Sequence, residues 1–578
     1  MPKKFLAGLL VVSVALGLTG YWFYAQPQPD SPAIVALPPA QALGFIAVPG
    51  MPQTWADLHQ SQFFQQVSSP AFWQRALGAE GYRQLIAEKQ RLEQHLGLPL
   101  TEPTIDLLLG REFGLAFVPS QGQIVDIIVY VRISGTEKIA ATLSRTFSRT
   151  MQDAVRQTQM VDGFEIVTLH LQDVPISVSY AFLGTLAVLS TDQVWVIDAI
   201  KAHQGTASDR LYSTPAIKAL QLKSAESLLA YGYSDVERFL ATTPAALSWA
   251  SRAPSGTMLQ MLQTIGKITL KATRAGGGLM VDTMAWYSPD GPTPVFRQVE
   301  RDGATPPFRG VPAETFYLTH VDLLNLQGLW QLLRQLAAMG DQDGFQEILT
   351  QFRAWAGVDL EHDVLPLFTG VAGLGFTAPF GGQRGTPTAL PGIFVSLGLT
   401  DELKGLHLIQ TIGAHVGGPL FSAFLQRQLH DGHAIYYVDN PLLFVNPGYV
   451  ISRQQLILGS DVSLLQHILD AAAGKTAPLT DTNAYRDVRR HFRLTGGSIT
   501  FVDVSTAVEK IRDTWLRLDP LIRALTRLDQ KAAAGEAMPG DPWVLVELLR
   551  PIRYIGVASQ AEAQGIRTEA FVAIQDLK

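Results

Sequence analysis

The sequence predicts an α+β protein: an N-terminal transmembrane helix followed by two tandem, structurally similar modules of largely antiparallel sheet with packed helices. Three observations carry that expectation. An uncharged stretch runs from Phe5 to Ala25 behind Lys3 and Lys4. The remainder repeats itself at a nearly constant offset, so that Asp162-Gly163 answers to Asp431-Gly432 and Thr191-Asp192 to Ser460-Asp461. Each repeat mixes hairpin-linked strand patterns with amphipathic helical ones, which points to α+β rather than to alternating βαβ units.

Residues 1–29 form the first expected element. At about 1.5 Å per residue, a helix from Phe5 to Ala25 spans about 30 Å, the thickness of a bilayer core. Lys3 and Lys4 favour the cytoplasmic side, and Tyr21, Trp22, Phe23 and Tyr24 suit the far interface. A cleaved signal peptide is the alternative, but Trp22-Phe23-Tyr24 puts bulky groups where a peptidase wants small ones. The expectation is a single-pass inner (cytoplasmic) membrane protein, the bulk of its chain periplasmic.

The two repeats follow, expected at residues 36–290 and 310–578. Each opens with a Pro-Ala strand start, Pro39-Ala40 into Phe45 and Pro312-Ala313 into Phe316. A helical region ends at Gly97 or Gly357, read as helix C-caps. Strands come next, from Val125 to Ile133 and from Gly392 to Leu397. A long amphipathic helix then carries Ile139, Leu143, Phe147, Met151 and Val155 inward in the first repeat. Asp162-Gly163 and Asp431-Gly432 are read as matching hairpin turns. Thr191-Asp192 and Ser460-Asp461 start helices that stop at Gly205 and Gly474. Strands at Leu228–Tyr233 and Ser498–Val502 lead through Asp235 and Asp503 into helices. Closing strands lie at Gly278–Trp286 and Thr568–Ile574. The offset between the repeats lengthens once, across a Gly/Pro-rich insertion around Gly381, Gly382, Gly385 and Pro387.

The segment from Gly357 through Val358-Asp359-Leu360-Glu361-His362-Asp363-Val364-Leu365-Pro366 to Gly370, with the Pro-Ala strand openings, resembles an uncharacterised bacterial family of exported proteins, domain of unknown function 3352. The first repeat departs from the pattern, with Pro99 and Pro103 interrupting the acidic turn. The resemblance implies an envelope location and a duplicated α+β fold. It implies no activity, because the family offers no catalytic residue to carry over.

Composition bounds the function. Charged residues are 17% of the chain and the net charge is −6. The usual charged share is about 25%, so large cores are expected. No basic run exists to neutralise phosphates, and nucleic acid is not an expected partner. Cysteine is absent, which removes thiol catalysis, thiolate metal sites and disulfides. No cofactor motif occurs: Gly276-Gly277-Gly278 lacks the flanks of a phosphate loop, and no serine-hydrolase elbow is present.

The best local cluster is His430-Asp431-Gly432-His433. A two-residue turn would make His430 and His433 a cross-strand pair able to share a metal ion or a proton. The other repeat has Val161 and Phe164 there, so solvated histidines are the plainer reading. Asp235, Asp503, Asp359 and Asp363 are read as helix caps before carboxylate pairs. Arg145, Arg149 and Arg156 make a basic stripe on the amphipathic helix, read as a solvated face. Gly417-Gly418-Pro419 must bend or end a helix. The apolar residues after it, Leu420, Phe421, Phe424 and Leu425, are core or the lid of an apolar cleft.

The leading functional expectation is a membrane-anchored, non-enzymatic binding or scaffold protein. It would use apolar surface between or within its repeats for an envelope protein or a lipid-like ligand, with Phe5 to Ala25 contacting the membrane. The alternatives are an extracytoplasmic hydrolase whose site assembles only in the fold, and a structural spacer of an envelope complex.

Overall fold

The computed structural model describes residues 33–49, 69–96, 112–120, 125–132, 155–170, 177–220, 228–242, 265–288, 310–322, 325–339, 342–378, 391–439, 446–514 and 549–575, with Gln65, Leu222, Leu516 and Val546. Its first half holds β1 (Gly44–Val48), β2 (Glu112–Val118), β3 (Asp126–Arg132), β4 (Val155–Val161), β5 (Phe164–His170), β6 (Ser177–Leu183), β7 (Leu186–Ser190), β8 (Leu228–Asp235), β9 (Ile265–Ala275) and β10 (Gly278–Tyr287). The second half holds β11 (Thr315–Val321), β12 (Phe368–Thr377), β13 (Gly392–Leu399), β14 (Leu425–His430), β15 (His433–Val438), β16 (Gly448–Ser452), β17 (Gln455–Gly459), β18 (Ser498–Asp503), β19 (Ile552–Glu562) and β20 (Gly565–Ile574). The helices used below are α1 (Pro70–Leu96), α2 (Gln193–His203), α3 (Pro215–Ala219), α4 (Val236–Thr242), α5 (Leu326–Met339), α6 (Gln342–Ala356), α7 (Glu402–Phe424), α8 (Val462–Ala472) and α9 (Asn483–Arg489).

All of these strands join one antiparallel sheet. Its hydrogen-bonded order is β4-β5-β6-β7-β3-β2-β1-β8-β9-β10-β20-β19-β18-β11-β12-β13-β17-β16-β15-β14. Read inward from either end, the order is the same once ten is added to each strand number. The centre of that order is the β10–β20 pair, in register from Gly278↔Ala573 to Trp286↔Gly565.

The local chemistry of the chain accounts for these elements. Asp162-Gly163 and Asp431-Gly432 sit at φ 49°/84° and 52°/81°. Two successive positive φ values make the tight turn whose twist matches antiparallel strands, and Asp-Gly tolerates them. Asp192 and Asp461 cap α2 and α8 by accepting from the N–H groups of Val194 and Ser463 at 2.9 and 2.8 Å. Gly205 and Gly474 follow those helices in the left-handed region, where a side chain would be strained. The Thr191 and Ser460 hydroxyls accept from Ile127 N–H and Ile393 N–H, tying each helix start to its sheet.

Helices cover one face of the sheet in both halves. Trp195, Val196, Ala199 and Ile200 of α2, with Ala216 and Ile217 of α3, pack on Ile128, Tyr130, Ile166 and Val188. Leu464, Leu465, Ile468 and Leu469 of α8, with Tyr485 and Val488 of α9, pack on Leu318, Phe394, Ile435 and Phe501. On the opposite face of the second half, α7 lays Leu406 and Ile409 over Leu399, Tyr449 and Leu456. The buried carboxylate of Asp126 (2% exposed) is paired: it accepts from the Thr191 hydroxyl at 3.0 Å and the Trp195 indole at 3.2 Å.

Three expectations are corrected. No helix of the described residues is long and apolar enough to cross a membrane. The transmembrane part of the fold class and the single-pass inner-membrane placement built on it are therefore withdrawn; Phe5 to Ala25 itself lies outside the described residues. The longest described helix, α1, carries Arg75, Glu80, Arg83, Glu88, Lys89 and Glu93, charges that a bilayer core disfavours. The strands expected in two tandem modules also join in one continuous sheet, because β10 and β20 satisfy each other's edges. Finally, Val155 and Arg156 belong to strand β4, not to a helix. Ile139, Leu143, Arg145, Phe147, Arg149 and Met151 lie outside the described residues.

Glu569 sits at the middle of the central pair with no exposed surface, and its carboxylate accepts from the N–H groups of Arg493 and Leu494 at 2.7 and 3.1 Å. Losing a buried charged acceptor leaves both donors unpaired. Glu569→Ala is expected to lower unfolding stability by about 2–4 kcal/mol, read from urea midpoints; a change under about 0.5 kcal/mol would refute this role.

Candidate functional site

A cavity of about 190 Å³ opens on the helix-covered face at the junction of the halves. Its floor is β10 from Asp282 to Trp286, about 13 Å at roughly 3.3 Å per residue. Strand β9 contributes Thr269 and Lys271, β20 contributes Arg567, the end of β19 contributes Glu562, and the β19–β20 turn contributes Gln564. Ala219 and Leu220, at the end of α3, form the wall.

Register explains why these side chains meet. Asp282 lies directly opposite Lys271 on one side and Glu569 on the other; Met284 lies between Thr269 and Arg567 in the same way. Residues directly opposed across antiparallel strands share a face. Lys271 Nζ donates to the Leu220 carbonyl at 3.4 Å, and Arg567 lies 3.9 Å from Glu569. Among the described residues, the side chains of Asp282 and Glu562 make no hydrogen bond or ion pair. The groove therefore presents both signs of charge with little internal neutralisation, over a floor of thioether and indole.

The corresponding place in the second half is filled. Counting from the start of each closing strand, Gly278 corresponds to Gly565, so Met284 corresponds to Phe571 and Thr269 to Gly556. Phe571 is 1% exposed, and the His491 ring stacks on it at 3.8 Å. A Cβ at Gly556 would collide with Val488 of α9 and crowd Phe492. One position is packed with aromatic rings while its counterpart is an open, charged groove.

The residues singled out from sequence are placed elsewhere. His430 and His433 are indeed register partners across the β14–β15 turn. His430 Nε2 is engaged by Asp470 Oδ1 at 2.9 Å, and Lys475 reaches Asp431 at 2.7 Å. The Lys475 hydrogen bond holds the Asp431 carboxyl below its ordinary range. Among the described residues no group of three or more His, Asp or Glu is placed to hold a metal ion. Helix α7 bends at Gly418 (φ 54°) and continues to Phe424. Phe424 is 42% exposed, and Leu425 opens β14 and packs beside Leu399 and Tyr449. The side chains of Leu420 and Phe421 lie outside the described set. Asp235 and Asp503 accept from the N–H groups of Arg238 and Thr506, both at 3.0 Å, as helix caps. Asp359 accepts from Glu361 and His362 N–H at 3.0 Å, and Asp363 accepts from Asp359 N–H at 2.8 Å. Arg156 stands 3.8 Å from Glu165 on the neighbouring strand.

Two features escaped the sequence reading. Lys271, Asp282 and Arg567 occupy inward positions of β9, β10 and β20; a charge on the inward phase of an apolar strand was the available signal. His320 of β11 is the other. It is 4% exposed, neither ring nitrogen has a hydrogen-bond partner, and burial pushes its pKa down to about 4.

The folded state holds His320 neutral, while the unfolded chain takes up its proton near the ordinary value of about 6.5. Stability from this group is therefore complete above pH about 6.5 and is lost as pH falls toward 4, by at most about 3 kcal/mol. Urea unfolding across pH 4–7 is expected to show a shallower slope for His320→Leu than for the parent chain. Identical slopes would remove His320 as a source of acid sensitivity.

No curated protein is detectably similar to the chain. Crystal forms III, I and IV of TP0453 align with it at 8% identity, covering 47%, 47% and 44% of this chain and 84%, 83% and 81% of theirs. Their TM-scores of 0.25, 0.23 and 0.23 carry no argument about fold or function. Residues 105–395 match DUF3352, a family of proteins of unknown function. That match takes in just over half of the chain, from ahead of β2 through the first half of β13. The chain belongs to the DUF3352 family.

Proposed function

We propose that this is a binding protein, not an enzyme, built from two tandem copies of one α+β unit (residues 36–290 and 310–578), and that the groove at their junction holds a small polar ligand. The observation that carries the reading is the unequal fate of two corresponding positions. One is closed by Phe571, His491 and Phe492; the other is an open groove in which the carboxylates of Asp282 and Glu562 have no side-chain partner among the described residues. Burying half-exposed charges without a partner is costly, and a ligand that pairs them offsets that cost.

The tandem-copy part is supported by the matching strand order, the paired Asp-Gly turns, and the Thr191 and Ser460 hydroxyls serving the same N–H position. Holding rather than converting a ligand is supported by the layout. The charged groups are spread along about 13 Å of floor, and the Thr269 hydroxyl is turned to the Met284 carbonyl. At about 190 Å³ the cavity is smaller than the roughly 300–1,000 Å³ of sites for drug-sized molecules. The groove is polar, so the apolar cleft anticipated from composition gives way here to a charged one.

Met284→Phe copies the plug of the second half into the groove. Native mass spectrometry of the full chain, taken gently from its own cells, is expected to show a retained small mass that the variant loses at least tenfold. Circular dichroism and thermal midpoint should stay close to the parent. A mass retained equally by Met284→Phe, or bare chain in both, would overturn the proposal.

A further inference from the structure

We infer that the ligand of the groove is a free α-amino acid, recognised by its zwitterionic head at Asp282 and Lys271. This rests on the groove reading above and deepens it. Asp282 and Lys271 are directly opposed on β10 and β9, on the same face, with Cβ atoms about 4.5–5.5 Å apart by the geometry of such pairs. Opposite charges so placed normally join. Here they do not: Lys271 turns to the Leu220 carbonyl, and Asp282 has no partner among the described residues. An ammonium and a carboxylate therefore stand side by side at one end of the groove, each short of a counter-charge.

Only one kind of head group answers both. A simple anion would pair with Lys271 and be repelled by Asp282; a simple cation would do the reverse. A ligand with ammonium and carboxylate on one carbon pairs with both and adds no net charge. The surroundings set its orientation. Glu569, on the far side of Asp282, is locked by two backbone N–H groups, so the negative end of the field is fixed there. The ammonium goes to Asp282 and the carboxylate to Lys271. From that head the floor runs past Thr269 and Met284 to Trp286, an apolar strip for a side chain, and ends at Glu562 and Gln564. Glu562 has no partner among the described residues, so a side chain ending in a cation, as in lysine, completes the pairing.

The test is calorimetric titration of the refolded full chain with the twenty coded amino acids, Nα-acetyl-L-lysine, L-lysine amide and L-norleucine. L-lysine is expected to bind, and the acetyl and amide analogues to bind at least tenfold more weakly, since each lacks one charge of the head. Asp282→Asn and Lys271→Met should each weaken L-lysine at least tenfold. Glu562→Gln should weaken L-lysine while leaving L-norleucine unchanged, a readout that a merely structural role would not produce. Equal binding of L-lysine and its two blocked analogues would overturn the inference. So would the absence of any amino-acid binding while a mass lost in Met284→Phe proves to be another compound; the groove would then stand and the zwitterion fall. Bare chain throughout would sink both.

Discussion

The structure depends on the antiparallel pairing of β10 with β20. That pairing joins two ten-strand halves edge to edge, and it does so about its own centre: Asp282 pairs with Glu569, the residue that occupies the same place in the other half. Free sheet edges invite association with other chains, and here each half covers the other's. The cost is that whatever stands at the centre meets its own counterpart. In this chain both are carboxylates, and like charges directly opposed across strands repel.

Asymmetry relieves the repulsion. Glu569 is drawn under the segment after α9 and bound by two backbone N–H groups, with Arg567 nearby. The same segment brings His491 and Phe492 onto Phe571 and Gly556, so the second half closes over its side of the junction. Asp282 is left beside Lys271, in a groove floored by Met284 where the second half has Phe571. Among the described residues, a thioether where the second half has an aromatic ring separates the open groove from the sealed core. The central pairing, the buried carboxylate and the groove are thus consequences of one constraint.

Other buried polar groups show how differently the chain treats such costs. Asp126 is matched by a hydroxyl and an indole and serves the joint between β3 and α2. His320 is matched by nothing and stays neutral. The first kind ties a helix to its sheet; the second makes the fold sensitive to acid. Charged groups left unpaired at the groove belong to neither class, which is why they read as contacts for something outside the chain.

The sequence by itself determined turns, caps and many of the strands, because these are local: Asp-Gly needs only its own φ values, and Asp192 and Asp461 reach N–H groups a short step along the chain; Val155 and Arg156, read as helical, lie in β4. The constant offset between Asp162-Gly163 and Asp431-Gly432, and between Thr191 and Ser460, marks the same kind of turn and the same kind of helix start in each half. What only the tertiary structure decided was where the halves meet and what lies there. Asp282 and Glu569 belong to opposite halves of the chain, and nothing local says that they will be neighbours. His430 and His433, conspicuous in the sequence, are taken up by Asp470 and a hairpin. Lys271, Asp282 and Arg567, inconspicuous in it, converge because a site is made by strand register between distant segments, and register is a property of the whole sheet.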